Sequence, residues 1–117
     1  MNYIIITLLY TAFVFPQIYN FSDNQRITNT DYSNRFPEVD ADSLNVHVAW
    51  VQTEANNKNI MYSKSGDGGE TFSAPIQINS VDDNIISWDQ GPKIKCHGNK
   101  VYVTYIDDRT GYYSVYL

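Results

Sequence analysis

The chain is predicted to fold entirely as β-structure, in antiparallel sheets packed face to face. Two segments, residues 44–51 and 100–106, place apolar side chains at every second position, as a strand with one face against a core requires. No segment after residue 16 keeps the period of an amphipathic helix. The sequence also repeats, because the shift that carries Pro37 onto Pro92 also carries Val46 onto Val101 and Val48 onto Val103. We call this displacement the repeat shift.

Each repeat is predicted to form one sheet of successive strands. In the first repeat we place strands at residues 38–41, 44–52, 59–64 and 74–78. The second repeat supplies strands at residues 92–96, 100–107 and 112–117. Strands that are apolar on both faces, and a period near 50 residues, are typical of stacked propeller blades. The expected fold is therefore a partial β-propeller of about two blades of antiparallel four-stranded sheet, truncated after Leu117.

Residues 1–33 lie outside the repeats. Residues 1–16 are predicted to be a secretory signal peptide, because residues 4–15 form an apolar run that is too short to span a membrane. A buried strand is the alternative interpretation. Residues 17–33 form a polar lead-in, in which residues 25–30 are similar to the outer strand at residues 77–80. We expect residues 25–30 to be a closing strand with partners downstream of the given sequence. Residues 34–117 contain the two repeats.

The most constrained segment is the octet at residues 65–72, SGDGGETF. Asp67 can accept hydrogen bonds from nearby backbone N–H groups, and two glycines after it permit positive φ. The octet therefore predicts a tight hairpin turn with a structural role. It resembles the Asp-box, or BNR repeat, of sialidase-like β-propellers, S-x-D-x-G-x-T-[F/W]. The residues at the motif positions are Ser65, Asp67, Gly69, Thr71 and Phe72.

This resemblance implies an activity for catalytic members of the family. They are six-bladed propellers that hydrolyse terminal sialic acids, using three arginines around the substrate carboxylate, a tyrosine nucleophile paired with a glutamate, and an aspartate acid/base. Arg35, in the segment NRFP, is the candidate for the first arginine, although Pro37 also opens the repeat as Pro92 does. The loop at residues 53–58, where the family has its aspartate, contains only Glu54 as an acidic residue. We therefore expect no catalytic residue in this chain by itself.

Two further residues are candidates for ligand contacts. Arg109 lies in the turn-forming segment 107–111 and is a candidate anion contact, with a local ion pair as the alternative. Trp88, in the loop between the repeats, is the candidate for an exposed aromatic contact. The tyrosines of the second repeat can stack on sugars, but packing between sheets is their default role.

Composition excludes several other classes of protein. The net charge of −5 and the absence of a basic stripe argue against binding to nucleic acid or to an anionic membrane surface. The single cysteine, Cys96, cannot form an internal disulfide. Its neighbour His97 and the pair Asp40 and Asp42 provide too few ligands for a metal site. We expect no metal, no cofactor and no membrane span after removal of the leader.

The sequence therefore predicts a secreted, cell-surface or periplasmic module of a longer protein that carries the remaining blades. Its expected role is structural, or the binding of glycans or extracellular proteins. The alternative is the N-terminal part of an exo-α-sialidase, with Arg35 as a ligand of the substrate carboxylate, and whether the whole protein is an enzyme is left open. A third interpretation, a scaffold that binds only proteins, predicts apolar loop tips.

Overall fold

The computed structural model describes residues 23–55, 57–80, 85 and 90–117. Within these ranges the chain forms two antiparallel sheets and no helix, so none that could cross a membrane. The first sheet has the strand order β1-β2-β3-β4, and the second has the order β5-β6-β7. The predicted all-β class is confirmed. The strands are β1 (Ser33–Asp42), β2 (Asn45–Glu54), β3 (Asn57–Ser65), β4 (Ile76–Gln77), β5 (Lys93–His97), β6 (Lys100–Asp107) and β7 (Ser114–Tyr116).

The strands differ from the predicted ones mainly at their ends. β1 begins earlier than predicted, at Ser33, because a β-bulge between Arg35 and Glu38 restores the pairing of the residues before it with β2. Phe36 lies in this bulge with a φ of 55°. β4 is shorter than the predicted fourth strand and contains only Ile76 and Gln77, both of which are exposed.

The two sheets share one register. In the first sheet Glu38 pairs with Ala49, and the repeat shift carries this pair onto Lys93 and Thr104, which also pair. The β2–β3 pairs Trp50 with Met61 and Val51 with Ile60 recur in the same way, as Tyr105 with Tyr116 and Ile106 with Val115. The hairpins match too, because Ser43 and Gly98 both take a φ of 58° at the first turn position. The sequence repeat is therefore also a structural repeat.

The core lies between the sheets. Its buried centre is Val51, Ile60 and Ile85, around which four half-buried side chains pack: Phe36, Ile78, Val103 and Tyr105. Each sheet therefore has an inner face toward this core. The inner face of the first sheet carries Val51 and Ile60, and that of the second carries Val103 and Tyr105. The opposite sides are called the outer faces.

Acidic side chains of β1 hold the edge strand of the second sheet. Asp40 accepts a hydrogen bond from the backbone N–H of Cys96 at 2.7 Å, and Asp42 accepts one from Gly98 at 2.8 Å. Glu38 forms an ion pair with Lys93. Successive residues of β1 contact successive residues in and after β5, in the same order along the chain. The two strands therefore run in the same direction, and equivalent loops of both sheets lie at the same end.

A glycine permits the closest approach between the repeats. Phe36 in the bulge of β1 lies against Gly91, just before β5. A Cβ atom at residue 91 would lie 2.6 Å from the carbonyl oxygen of Phe36, and closer still to its Cβ. Only a residue without a side chain fits here, which fixes where the second repeat begins relative to the first.

The described part of the lead-in lies over the outer face of the first sheet. Residues 23–29 form no strand pairs among the described residues, and they border Val46, Val48 and Trp50. The side-chain amide of Gln25 donates a hydrogen bond to the carbonyl oxygen of Glu70 at 2.9 Å. The closing strand expected at residues 25–30 would have its partners outside this sequence, so it stays a prediction. The signal peptide predicted at residues 1–16 lies outside the described residues.

Candidate functional site

The octet at residues 65–72 forms a hairpin turn held by its own side chains. The Ser65 hydroxyl donates a hydrogen bond to Asp67 Oδ1 at 2.6 Å and accepts one from the Gly69 N–H at 2.8 Å. The other side of the Asp67 carboxylate is bound by Thr71, whose N–H donates at 2.9 Å and whose hydroxyl donates at 2.5 Å. Gly68 and Gly69 have φ values of 77° and 99°, which L-residues with side chains rarely adopt.

These bonds explain the roles of the motif residues. Hydrogen bonds from the Ser65 hydroxyl, and then from Thr71, lower the pKa of Asp67 well below its ordinary value, because they stabilise the ionised carboxylate. Phe72 is half-buried and lies beside the lead-in and Val46. The Gly68 N–H also donates to the carbonyl oxygen of Leu44 at 2.8 Å, which ties the turn to the first hairpin. The acceptor oxygens of the turn are used internally, so its geometry supports a structural role.

Arg35 is exposed at the end of the first sheet where β1 begins. Among the described residues it forms no salt bridge, so its guanidinium is available to a ligand. The adjacent Asn34 is fully engaged, because its side chain accepts a hydrogen bond from the Trp50 indole at 2.8 Å and donates one to the Tyr32 carbonyl at 2.9 Å. Asn34 therefore holds the Trp50 indole in place on the outer face of the first sheet.

A cavity of about 360 Å³ lies between the sheets and is lined mainly by apolar residues. A smaller cavity, of about 270 Å³ beside Arg35, has two arginines among its lining residues. The smaller cavity lies between the lead-in and the outer face of the first sheet. Arg26 of the lead-in also borders it, and the Arg26 guanidinium donates to the Thr30 carbonyl at 3.0 Å. None of the described residues that line it is acidic. They are Gln25, Arg26, Ile27, Thr28, Asn34, Arg35, Pro37, Val48 and Trp50.

Arg109 lies elsewhere, in a contact with a buried carboxylate. Asp107 is completely buried and accepts hydrogen bonds from the Arg109 N–H, at 2.7 Å, and from the Arg109 guanidinium. The guanidinium also lies 4.2 Å from the ring centre of Tyr116. This pairing raises the pKa of Arg109 and lowers that of Asp107. Arg109 thus forms the local ion pair that was the alternative to an anion contact, and it does not border the cavity beside Arg35.

The remaining aromatic candidates fall into two groups. Tyr105 and Tyr116 stack on each other with ring centres 5.9 Å apart, as expected for packing residues. Tyr112 and Tyr113, in the loop between β6 and β7, are 80% and 70% exposed and are free to contact a ligand. Trp88 lies outside the described residues, so its role as an exposed aromatic contact stays a prediction.

A Tyr–Glu pair lies at the same end of the first sheet as Arg35. The Tyr32 hydroxyl donates a hydrogen bond to Glu54 Oε1 at 2.6 Å. This bond and the negative charge of Glu54 raise the pKa of Tyr32, because both disfavour the phenolate. The hydrogen bond links the residue just before β1 to the last residue of β2.

The titratable groups around His47 do not form a metal site. His47 is buried on the inner face of the first sheet, and its Nδ1 lies 2.7 Å from the Tyr62 hydroxyl. Burial, and then the carboxylate of Asp40, raise the pKa of the Cys96 thiol, which opposes a thiolate. Within the described ranges, no group of three or more His, Cys, Asp or Glu side chains is arranged to hold a metal ion.

Searches of protein-family models, curated proteins and solved structures find no match to the chain. The chemistry of the site therefore rests on its residues. Arg26 and Arg35 are the charged residues of the described lining of the smaller cavity, and Val48 and Trp50 are among its apolar residues. Arg26 was missed by sequence reasoning, because it lies in the polar lead-in far from any motif. Its signal was the similarity of residues 25–30 to an outer strand, which predicts contact with a sheet.

Proposed function

We propose that this chain is a non-catalytic, sialidase-like repeat module of an extracellular protein that binds acidic glycans through Arg35 and Arg26. The observation that carries the proposal is the cavity beside Arg35, whose described lining includes two arginines and no acidic residue. Arginine is the side chain best suited to a carboxylate, because its planar guanidinium can donate two parallel hydrogen bonds. The ligand class is a sugar with a free carboxylate, such as a sialic acid.

The shape of the cavity supports the same ligand class. Its volume of about 270 Å³ is at the lower end of the range for small-molecule sites, and one sugar ring is of that order of size. Pro37 is an exposed apolar residue of the lining, and the carbon face of a sugar can pack on its ring. Binding is the activity that the two arginines support at this cavity, whose described lining contains no carboxylate.

The test is a titration of the full chain with N-acetylneuraminic acid, in which binding is measured by NMR chemical-shift changes or by calorimetry. Arg35→Ala is expected to weaken binding about tenfold or more, since a charge-assisted hydrogen bond contributes about 1.5–3 kcal/mol. Arg26→Ala is expected to have a smaller effect, because its guanidinium already donates to Thr30. Lys64→Ala removes an exposed cation on β3 and is the matched control. Unchanged affinity in Arg35→Ala would contradict the proposal.

The Tyr32–Glu54 pair favours a second candidate, in which the chain forms part of an exo-α-sialidase and Arg35 binds the substrate carboxylate. In that case Glu54 would accept the proton of Tyr32 as the hydroxyl attacks the sugar. The two candidates differ in turnover. Release of a fluorescent aglycone from an aryl sialoside, lost in Tyr32→Phe, would support the enzyme, whereas binding with no release supports the module.

A further inference from the structure

The two surfaces that meet between the sheets each have an equivalent, by the repeat shift, on an outer face of the other sheet. Val103 and Tyr105 pack against Val51 and Ile60 to form the core. Because the repeat preserves the register, the repeat shift carries Val51 and Ile60 onto Ile106 and Val115, on the outer face of the second sheet. The reverse shift carries Val103 and Tyr105 onto Val48 and Trp50, on the outer face of the first sheet.

The exposed fractions show that these counterparts are unpartnered in part. Ile60 is 0% exposed, whereas its counterpart Val115 is 74% exposed. Ile94, on the inner face of the second sheet, is 4% exposed, whereas its counterpart Val39 is 63% exposed. Tyr102, on the same face as Val115, is 47% exposed. Val39 on one outer face and Tyr102 and Val115 on the other are thus open to solvent. Val48 and Trp50, at the centre of the first outer face, are only 7% and 3% exposed, and they border the lead-in.

We propose that copies of this chain associate head to tail, with the outer face of the second sheet in one copy against the outer face of the first sheet in the next. The inference goes beyond sugar binding and rests on the repeat alone. The contact would be continuous with the core, because Val48 and Trp50 of the next copy would lie on Ile106 and Val115. Such a contact joins two different surfaces, so it builds rings or open stacks rather than a symmetric dimer.

The lead-in competes with this association. Residues 23–29 border Val46, Val48 and Trp50, so a second copy must displace them before it docks. The lead-in lies against the buried Val48 and Trp50, but a cavity of about 760 Å³ separates it from the Gly68–Phe72 side of the sheet. Displacement therefore uncovers apolar side chains while breaking few described contacts, among them the hydrogen bond from Gln25 to Glu70.

The charged part of the internal contact is not repeated at the open face. Glu38, Asp40 and Asp42 hold the edge of β5, but the repeat shift carries them onto Lys93, Lys95 and His97. Lysine offers no acceptor for a backbone N–H. Association between copies would therefore depend on apolar contact alone, and we expect it to be weaker than the internal contact and to depend on concentration.

Sedimentation velocity on the full chain without sugar tests the proposal. The wild type is expected to shift from monomer to larger species as its concentration rises. Val115→Lys blocks one outer face and Val39→Lys blocks the other, so each variant alone is expected to remain monomeric. In an equimolar mixture, Val115→Lys keeps the outer face of its first sheet and Val39→Lys keeps the outer face of its second sheet. These two faces can pair, and no further copy can add, so a 1:1 dimer is expected. Asn99→Lys, in the exposed β5–β6 turn, carries the same charge change and should associate like the wild type.

Several outcomes would overturn head-to-tail association. A wild type that stays monomeric at all concentrations removes the interaction. Association that Val115→Lys abolishes and Val39→Lys leaves intact indicates a symmetric contact between two second sheets, and the mixture then shows no gain. Association displaces the lead-in residues that border the cavity beside Arg35, so the sugar titration is made at a concentration where the chain is monomeric. Failure of sugar binding there leaves head-to-tail association untouched, and a monomeric wild type leaves sugar binding untouched.

Discussion

The two sheets have the same pairing and different surroundings. Their strands keep one register across the repeat shift, and their first hairpins use the same positive φ at Ser43 and Gly98. Yet Ile60 is fully buried, while Val115 at the equivalent position is 74% exposed. Register is set locally, by hairpin length and by the alternation of side chains. Burial is set by what packs on the sheet, which local pattern does not specify.

The comparison also separates two kinds of polar contact. In the first sheet, Asp40 and Asp42 satisfy backbone N–H groups of the neighbouring edge strand. In the second sheet, the buried Asp107 binds Arg109 within its own loop. An edge strand with free N–H groups attracts other strands, so the carboxylates of β1 both dock and protect β5. The acidic side chains thus determine which sheets meet.

The largest expected effect contrasts the equivalent residues Ile60 and Val115. Ile60→Ala leaves a cavity in the core and is expected to lower the free energy of unfolding by about 2–5 kcal/mol. Val115→Ala removes an exposed side chain and should change it by less than about 0.5 kcal/mol. Urea unfolding, at a concentration where the chain is monomeric, measures both. Equal losses of unfolding free energy would mean that Val115 is packed against other residues to the same extent as Ile60.

A smaller effect is expected where the sheets meet at Gly91. Gly91→Ala places a methyl group against the Phe36 backbone, and overpacking of this kind costs about 1–3 kcal/mol. Gly66→Ala is the matched control, because a Cβ at Gly66 meets no atom within 4 Å and its φ is not positive. Urea unfolding followed by the near-UV signal of Trp50 and the tyrosines compares the two variants. Equal stability of both would show that the bulge of β1 moves away from residue 91 at little cost.

Much of this architecture follows from the sequence, because it depends on local pattern. Alternation at residues 44–51 and 100–106 predicts β2 and β6, and the sequence repeat predicts that both sheets share a register. Ser65, Asp67 and Thr71 predict a self-satisfied turn, since their hydrogen-bonding groups are close in sequence. Each of these features involves residues a few positions apart or an exact repeat.

Contacts between distant segments could not be predicted in this way. In the sequence, Asp40 and Asp42 were considered only as too few ligands for a metal site, but they accept hydrogen bonds from N–H groups of the other repeat. Arg26 borders the cavity beside Arg35 only because the lead-in crosses the outer face of the first sheet. No spacing in the sequence specifies that crossing. The candidate site was therefore predicted at Arg35 and missed at its second arginine.

The smallest expected effect concerns the Asp67 turn, a feature of the first sheet with no equivalent in the described part of the second. Hydrogen bonds from Ser65 and Thr71 lower the pKa of Asp67 in the folded state. As pH falls below about 4, the ordinary value for aspartate, the unfolded chain takes up a proton that the native turn does not. The stabilisation from Asp67 is therefore present above that pH and is lost progressively below it.

Asp67→Asn removes this titration and is expected to show a smaller fall in urea midpoint between about pH 6 and about pH 2.5 than the wild type, because no carboxylate is left to protonate. Glu70→Gln makes the same charge change at an exposed position whose carboxylate has no hydrogen bond or ion pair among the described residues, so it should follow the wild type. Should Asp67→Asn and Glu70→Gln instead show the same pH dependence, the turn would contribute nothing specific to acid stability. The difference between the sheets would then lie in apolar packing alone.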